Sequence, residues 1–537
     1  MKTLIVSISA KNIHKSLAAW CLKAYCAQRN IQAVEILEVN INDNIGEVIA
    51  KIYAHRPDVL AFSCYIWNID TIKKIGATLK KLHPCKIVLG GPEVSFETDL
   101  TAYPFADHLI KGEGEKAFCD LLESLTNNAP NILPLINGCN EDFSKLPNPF
   151  TKAYFNSFQH DQIPLIQNRL IYYESARGCP FSCSYCLSSA HKGVQELPLA
   201  RVKADLIQLT QQGAQCIKFI DRTFNANANR AQDILEFIAA LDTNCTFHFE
   251  VAADLFNTAL FKTVQKLPVG RVQFEIGVQS VNPKTLSAIN RKTDTDKALH
   301  NIARLSSLQN CHIHADLIAG LPHETLNTFA DALNRLITAA PHAVQLGFLK
   351  MLKGASVKAQ ANSFGAVYAD FAPYEVYKTD TLSFSQISAL KKIEAVIERF
   401  YNSKMFFYSV AYGIKICKTP YRFFEDLAEF CGLHTSFNFK VSLKNAYALL
   451  HDFLAQRGNP TEAAHYIKLD CLSSDPRGLL PDSITPNRNK QAELSHRKNL
   501  PKFAAFRIEY FAFDQTHKLF NYQTKHPVTN RYDFYTV

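Results

Sequence analysis

The sequence is notable first for what it does not contain. No apolar run approaches the roughly 18 to 20 uninterrupted residues needed to cross a bilayer, so no membrane span is expected. The apolar start at Met1 has no small-residue cleavage site after it. It runs into Lys11-Asn12-Ile13-His14 and reads as a first strand with its loop, which points to a cytoplasmic protein. There is no Lys/Arg block either. The formal net charge of +9 is spread over 537 residues, the pattern of a solvated basic surface. Nucleic acid is compatible with that charge, but nothing in the sequence supports it. No repeat or low-complexity tract is present.

Cysteine, by contrast, is plentiful. Fifteen is an odd number, and most of the cysteines, such as Cys64, Cys119, Cys216 and Cys431, stand alone in apolar segments. In a cytosolic chain these read as small buried hydrophobes, not as a disulfide framework. Only one place carries three at close, regular spacing.

The chain is too long for one core, and its composition of 47% hydrophobic and 20% charged residues is that of a globular protein. Strand-like runs Thr3-Leu4-Ile5-Val6-Ser7-Ile8, Val59-Leu60-Ala61-Phe62-Ser63, Lys86-Ile87-Val88-Leu89-Gly90-Gly91 and His108-Leu109-Ile110-Lys111-Gly112 alternate with helical spacing, as over residues 15–25. That alternation predicts an α/β domain over residues 1–145, with a parallel sheet and ligands beyond the carboxyl ends of its strands. Leu146-Pro147-Asn148-Pro149-Phe150 opens a linker over residues 146–167. A second alternating block, residues 168–370, has strands at Leu170-Ile171-Tyr172-Tyr173, Cys216-Ile217-Lys218-Phe219-Ile220, Thr246-Phe247-His248-Phe249-Glu250, Val272-Gln273-Phe274-Glu275-Ile276, His312-Ile313-His314-Ala315-Asp316-Leu317 and Val344-Gln345-Leu346-Gly347-Phe348. Six βα units predict a partial barrel with its chemistry at the C-terminal strand ends. Residues 371–537 turn mainly helical, for instance over 385–401 and 443–456, and end in an aromatic tail with strand-like pieces such as 503–508.

Directly after the first barrel strand comes Cys179-Pro180-Phe181-Ser182-Cys183-Ser184-Tyr185-Cys186, a C-x3-C-x2-C spacing with an aromatic before the third cysteine. Three thiolates on one short loop can hold three irons of a 4Fe–4S cluster and leave the fourth open. Zinc would want a fourth Cys or His at finger-like spacing, and His191, though near, follows no zinc pattern.

This loop resembles that of the radical S-adenosylmethionine (SAM) superfamily. The resemblance implies that Cys179, Cys183 and Cys186 ligate the cluster and that its open iron chelates SAM. Further segments are similar to the family's motifs in order. The stretch with Asp221 and Arg222 ends the second strand, near the methionine moiety. Glu275, Gln279 and Ser280 belong to the fourth-strand motif, Asp316 and Ile318 to the adenine-contacting fifth, and Leu352 follows the sixth; Tyr185 sits within the cysteine loop.

The N-terminal strand ends carry Ser63-Cys64-Tyr65, Gly90-Gly91-Pro92-Glu93 and Gly112-Glu113-Gly114. Their layout over residues 1–130 resembles cobalamin-binding domains, where a Ser and glycines line the slot for the nucleotide tail. Tyr65, Trp67 and Asn68 lie where side chains could pack on the corrin. Many such domains carry D-x-H-x-x-G after the first strand. Here the loop reads Asn12-Ile13-His14-Lys15-Ser16-Leu17, so a His remains without the Asp and Gly, and cobalt ligation by His14 stands against an ordinary hydrogen-bonding role.

The combined resemblance implies an enzyme using a 4Fe–4S cluster, SAM and cobalamin, fed by a reductant such as flavodoxin or ferredoxin, and most simply a methyltransferase acting on an unactivated carbon. A tRNA methylthiotransferase is one alternative, which would need three further N-terminal cysteines from among Cys21, Cys26, Cys64, Cys85 and Cys119. A cyclase or rearrangement enzyme is another, and a non-catalytic cobalamin or SAM sensor a third. The C-terminal region resembles an uncharacterised domain appended to some cobalamin-type radical SAM proteins and names no substrate.

Overall fold

A computed structural model describes residues 1–139, 141–160, 165–190, 193–434, 441–497 and 505–537. His191, and residues 503 and 504 of the strand-like tail segment, lie outside the described residues. The chain forms two compact units. One comprises residues 1–252, 289–292 and 349–377, the other residues 253–288, 293–348 and 378–537.

The first unit begins with a six-stranded parallel sheet: β1 (Thr3–Ser9), β2 (Val34–Asn40), β3 (Val59–Ser63), β4 (Lys86–Gly90), β5 (His108–Lys111) and β6 (Leu135–Asn137), in the order β2-β1-β3-β4-β5-β6. Successive side chains point to opposite faces. Leu4, Val6, Leu60, Phe62, Ile87 and Leu89 pack with α2 (Ile45–His55) and α3 (Ile69–Leu82). Ile5, Val59, Ala61 and Val88 pack with α1 (Leu17–Gln28) and α4 (Glu115–Thr126). Helices on both faces explain why these strands are continuous apolar runs. Each fully buried Val, Leu, Ile or Phe among them contributes about 1.5–3 kcal/mol of burial free energy. The order reverses between β1 and β3, which opens a crevice at their carboxyl ends. The crevice is pinned by Asn68, whose Nδ2 donates to the carbonyls of Ile8 (3.1 Å) and Ser63 (2.9 Å).

The segment expected as a linker carries a short helix, Lys152–Ser157, capped by Thr151. Phe150, Tyr154 and Phe158 are buried, Tyr154 lies edge-on to Trp20, and the Lys15 ammonium stands 4.6 Å over the Phe158 ring. Aromatic packing makes this stretch a brace on the sheet domain. β7 (Leu170–Tyr173) follows, then an antiparallel pair, β8 (Ala176–Cys179) with β9 (Gly193–Glu196), then β10 (Cys216–Phe219), parallel to β7, and β11 (Thr246–Val251), parallel to β10.

The second unit carries β12 (Val272–Gln279), β13 (His312–Ala319) and β14 (Ala343–Phe348), again parallel in chain order. Burial alternates strictly along β12 and β13, placing Glu275, Gln279, Asp316 and Ile318 on the less-buried face. Helices fill most of its C-terminal part, which ends in an antiparallel sheet of Phe506–Phe511, Thr516–Lys525 and Tyr532–Thr536. The architecture is the expected one: a doubly wound α/β domain, barrel-type βα units and a mainly helical C-terminal region. Among the described residues no helix is long and apolar enough to cross a membrane.

Candidate active site

A cavity of about 560 Å³ opens over the carboxyl ends of the first unit's strands. It is lined by Ser7 and Ser9 of β1, Ser63 at the end of β3 and Tyr65 just beyond it, and Gly90, Gly91, Gly112 and Gly114, together with Tyr172 of β7, Glu174, Arg177 of β8, Lys218 of β10, Arg222, and Glu250 of β11. The glycines serve close approach. Gly91 has φ +105°, and a Cβ there would lie 2.7 Å from the Cys64 carbonyl; a Cβ on Gly112 would meet nothing within 4 Å, leaving backbone open to the space. This cradle of bare backbone and hydroxyls fits the neutral amides and nucleotide tail of a corrinoid.

Tyr65 stacks on Trp67 with ring centroids 4.4 Å apart, and the Trp67 indole N–H donates to the Ile8 carbonyl. His14 lines the cavity, but its Nδ1 is hydrogen-bonded to the Tyr172 hydroxyl at 2.8 Å and the two rings stack. Burial, then Lys11 and Lys218, lower its pKa and favour the neutral imidazole. Glu93 is spent elsewhere. It is buried, accepts from the Tyr374 hydroxyl and pairs with Lys353 at 3.5 Å, and Lys353 also binds Glu97 and the Tyr103 hydroxyl. Its neighbour Leu352 is half-buried and sits one residue outside that network.

Cys179 ends β8, Cys183 is buried and Cys186 half-buried. Gly178 holds the strand turn at φ +97°, and a Cβ there would strike the Gly193 carbonyl at 2.2 Å. A short return segment, residues 289–292, braces the loop: the Ser184 N–H donates to the Ile289 carbonyl (2.9 Å) and Asn290 donates to the Ser182 carbonyl and hydroxyl. From that segment Arg291 donates to the Tyr185 hydroxyl (3.1 Å) and points Nη1 at the Cys183 sulfur (3.8 Å). Among the described residues no three Cys, His, Asp or Glu side chains converge on a single-ion site. Cubane ligands each bind a different iron, so a soft three-thiolate loop fits a 4Fe–4S cluster where a mononuclear zinc ion would want convergence.

Asp221, expected near SAM, is buried and accepts from the Ser175 N–H (2.7 Å), the Ser175 hydroxyl (2.5 Å) and the Ala176 N–H (3.0 Å). Burial pushes its pKa up to about 6 against those three bonds. It orients the entry to the cysteine loop, while its neighbour Arg222 lines the cavity. In the second unit, Ser280 is buried, bonded to Glu324. Asp316 lies 3.5 Å from the His314 Nε2. The Gln279 Oε1 is buried with no hydrogen-bond partner among the described residues, and the Gln279 backbone is held at φ +70°. An orphaned acceptor on a strained strand end fits a polar ligand such as SAM.

Sequence reasoning missed two arginines. Arg291 lies 106 residues along the chain from Tyr185, and no local pattern marks it. Arg177 was visible beside the triad, but its partners were not.

Three family models match the chain: a B12-binding domain over residues 3–122, the radical SAM superfamily over residues 173–336, and a domain described as a protein of unknown function, DUF4080, over residues 362–526. The chain carries a B12-binding domain followed by a radical SAM domain. The cofactors of these domains are cobalamin, a 4Fe–4S cluster and SAM. The chain is 25% identical over 357 residues to the 2-(S-pantetheinyl)-carbapenam-3-carboxylate methyltransferase of Streptantibioticus cattleyicolor, covering 61% of this chain and 52% of that protein. It is 25% identical over 314 residues to the cobalamin-dependent radical SAM methyltransferase TokK of Streptomyces tokunonensis, covering 53% and 46%. The chain thus spans about half the length of these relatives. Its fold is similar to that of the cobalamin-dependent SAM radical enzyme OxsB, with a TM-score of 0.57 at 14% identity, over 88% of this chain and 79% of that one.

Proposed function

We propose that this chain is a cobalamin-dependent radical SAM methyltransferase acting on an unactivated carbon, in the cytoplasm, with electrons from a small carrier such as flavodoxin or ferredoxin. One observation carries the reading: a single cavity is lined by the B12-binding strand ends and by the strand ends adjoining the cysteine loop. When bound, the cluster and corrinoid supply one-electron cleavage of SAM and delivery of a methyl group.

The chain's own residues hold and shield this chemistry. Arg291 sets a half-buried guanidinium against the Cys183 sulfur, offsetting thiolate charge in a site of lowered dielectric. Asn68 fixes the crevice edge, the glycines admit a bulky ligand, and Tyr172 holds His14 on the wall. Lys218, Arg222 and Glu250 place charge on the cavity wall and suit a polar substrate. The methylthiotransferase alternative finds no support in the N-terminal cysteines. Cys26 and Cys119 face each other at 2.9 Å in the core, and Cys64 and Cys85 are buried.

Anaerobic reconstitution with iron, sulfide and hydroxocobalamin tests the proposal. The expected result is about four irons and one corrinoid per chain, with 5′-deoxyadenosine formed from SAM under reductant. Cys183→Ala should lose both iron and 5′-deoxyadenosine. About eight irons would favour the methylthiotransferase, and absence of corrinoid would overturn the cobalamin reading.

A further inference from the structure

Arg177 stands two residues before Cys179 and is shared by three carboxylates. Its Nη2 lies 2.8 Å from Glu115 and 2.8 Å from Glu174, its Nη1 lies 3.4 Å from Glu113, and its guanidinium packs 4.7 Å over the Phe143 ring. All four charged side chains are at most one-fifth exposed. Glu113 lies in the loop after β5 and Glu115 begins α4, both in the B12-binding domain, while Glu174 follows β7 and Arg177 lies on β8, which leads into the cysteine loop. One fork therefore joins the two loops.

Three carboxylates around one cation repel each other, and the guanidinium offsets that repulsion. Its planar fork can serve several acceptors at once, which a lysine ammonium matches poorly. The two loops are tightly packed. Gly178 is wedged against Gly193, and the Gly138 N–H closes on the Lys111 carbonyl at 2.6 Å, with a Cβ on Gly138 striking the Glu113 carbonyl at 2.1 Å. The cavity wall includes Gly112, Gly114, Glu115, Glu174 and Arg177. A ligand seated there bears on both halves of the clamp, and the Arg177 fork ties the two together.

Building on the cobalamin reading above, we infer that Arg177 is a positioning residue: with Glu113, Glu115 and Glu174 it couples occupation of the corrinoid cavity to the order of the cysteine loop. An allosteric claim requires two sites and an element that both bias. The sites are the cavity and the thiolate loop, and the element is the clamp.

Hydrogen exchange on cluster-reconstituted protein, with and without saturating hydroxocobalamin, tests this. In the wild type, corrinoid should slow exchange severalfold both in residues 112–118 and in residues 174–186. In Glu113→Gln at saturating corrinoid, the first protection should remain and the second should shrink markedly. Arg177→Lys, which keeps charge but loses the fork, should behave as Glu113→Gln does. Protection of residues 174–186 that is absent in the wild type, or that survives in both variants, would overturn the coupling while leaving the cobalamin reading intact. A wild-type protein that takes up no corrinoid would sink that reading and the coupling with it.

Discussion

Two aspartates in different parts of the molecule sit in nearly the same local environment. Asp221, in the first unit, accepts two backbone N–H groups and the hydroxyl of Ser175. Asp470, in the second, accepts the N–H groups of Tyr408 and Ser409 and the Ser409 hydroxyl. Both are buried, and burial pushes their pKa values up to about 6 and about 7. Asp470 satisfies the free N–H groups that begin the helix Phe407–Cys417, a structural task any helix start poses. Asp221 satisfies the N–H groups between β7 and β8, where the chain turns into the cysteine loop. The same chemistry thus serves stability in one region and the placement of ligands in the other. A buried carboxylate at a strand end is therefore weak evidence for a cofactor contact until its partners are known.

That contrast can be broken or sharpened by mutation. The largest effect is expected from Asp221→Ala, which strands three buried donors at about 1–3 kcal/mol each. It should destabilise the first unit and also cut iron retained after reconstitution well below the wild-type count. If iron content held while stability fell, Asp221 would be a structural cap like Asp470. Asp470→Ala should lower thermal stability by a comparable amount but leave iron per chain and corrinoid binding unchanged, as read by metal analysis and absorption spectra.

A pH series comes next. For each aspartate the folded pKa lies above the model-peptide value of 3.8. The native state therefore binds more protons than the unfolded state, and stability should fall as pH rises from about 4 towards 7 before levelling. Asp470→Asn should flatten that slope in thermal melts, most of all in its upper part, between pH 6 and 7. An unchanged slope would mean that Asp470 is ionised throughout. The smallest effects are expected from the hydroxyl partners. Ser175→Ala and Ser409→Ala each remove one hydrogen bond of about 1 kcal/mol, and only Ser175→Ala should slow cluster assembly, followed by absorbance after addition of iron and sulfide.

Much of the fold could be read in the sequence because it is periodic. Alternating apolar strands and 3.6-residue helices specify layers, and the parallel sheet around β1, β3, β4 and β5 follows from them. The exposed and polar edge is less regular. β2, with its Glu35 and Glu38, does not read as a buried strand, and the aromatic brace of residues 150–158 hides behind the prolines that precede it.

The sequence alone determined the cysteine triad and the glycine-bearing strand ends, because their chemistry is carried by spacing within a few residues. It could not determine how the surrounding charges are used. Whether Glu93 turns to Tyr374, whether Asp221 turns to Ser175, whether Arg177 meets Glu113 and whether Arg291 reaches Cys183 are set by where distant segments return. A charged side chain takes the nearest partner that lowers the cost of its burial, and only the tertiary path of the chain decides which partner that is.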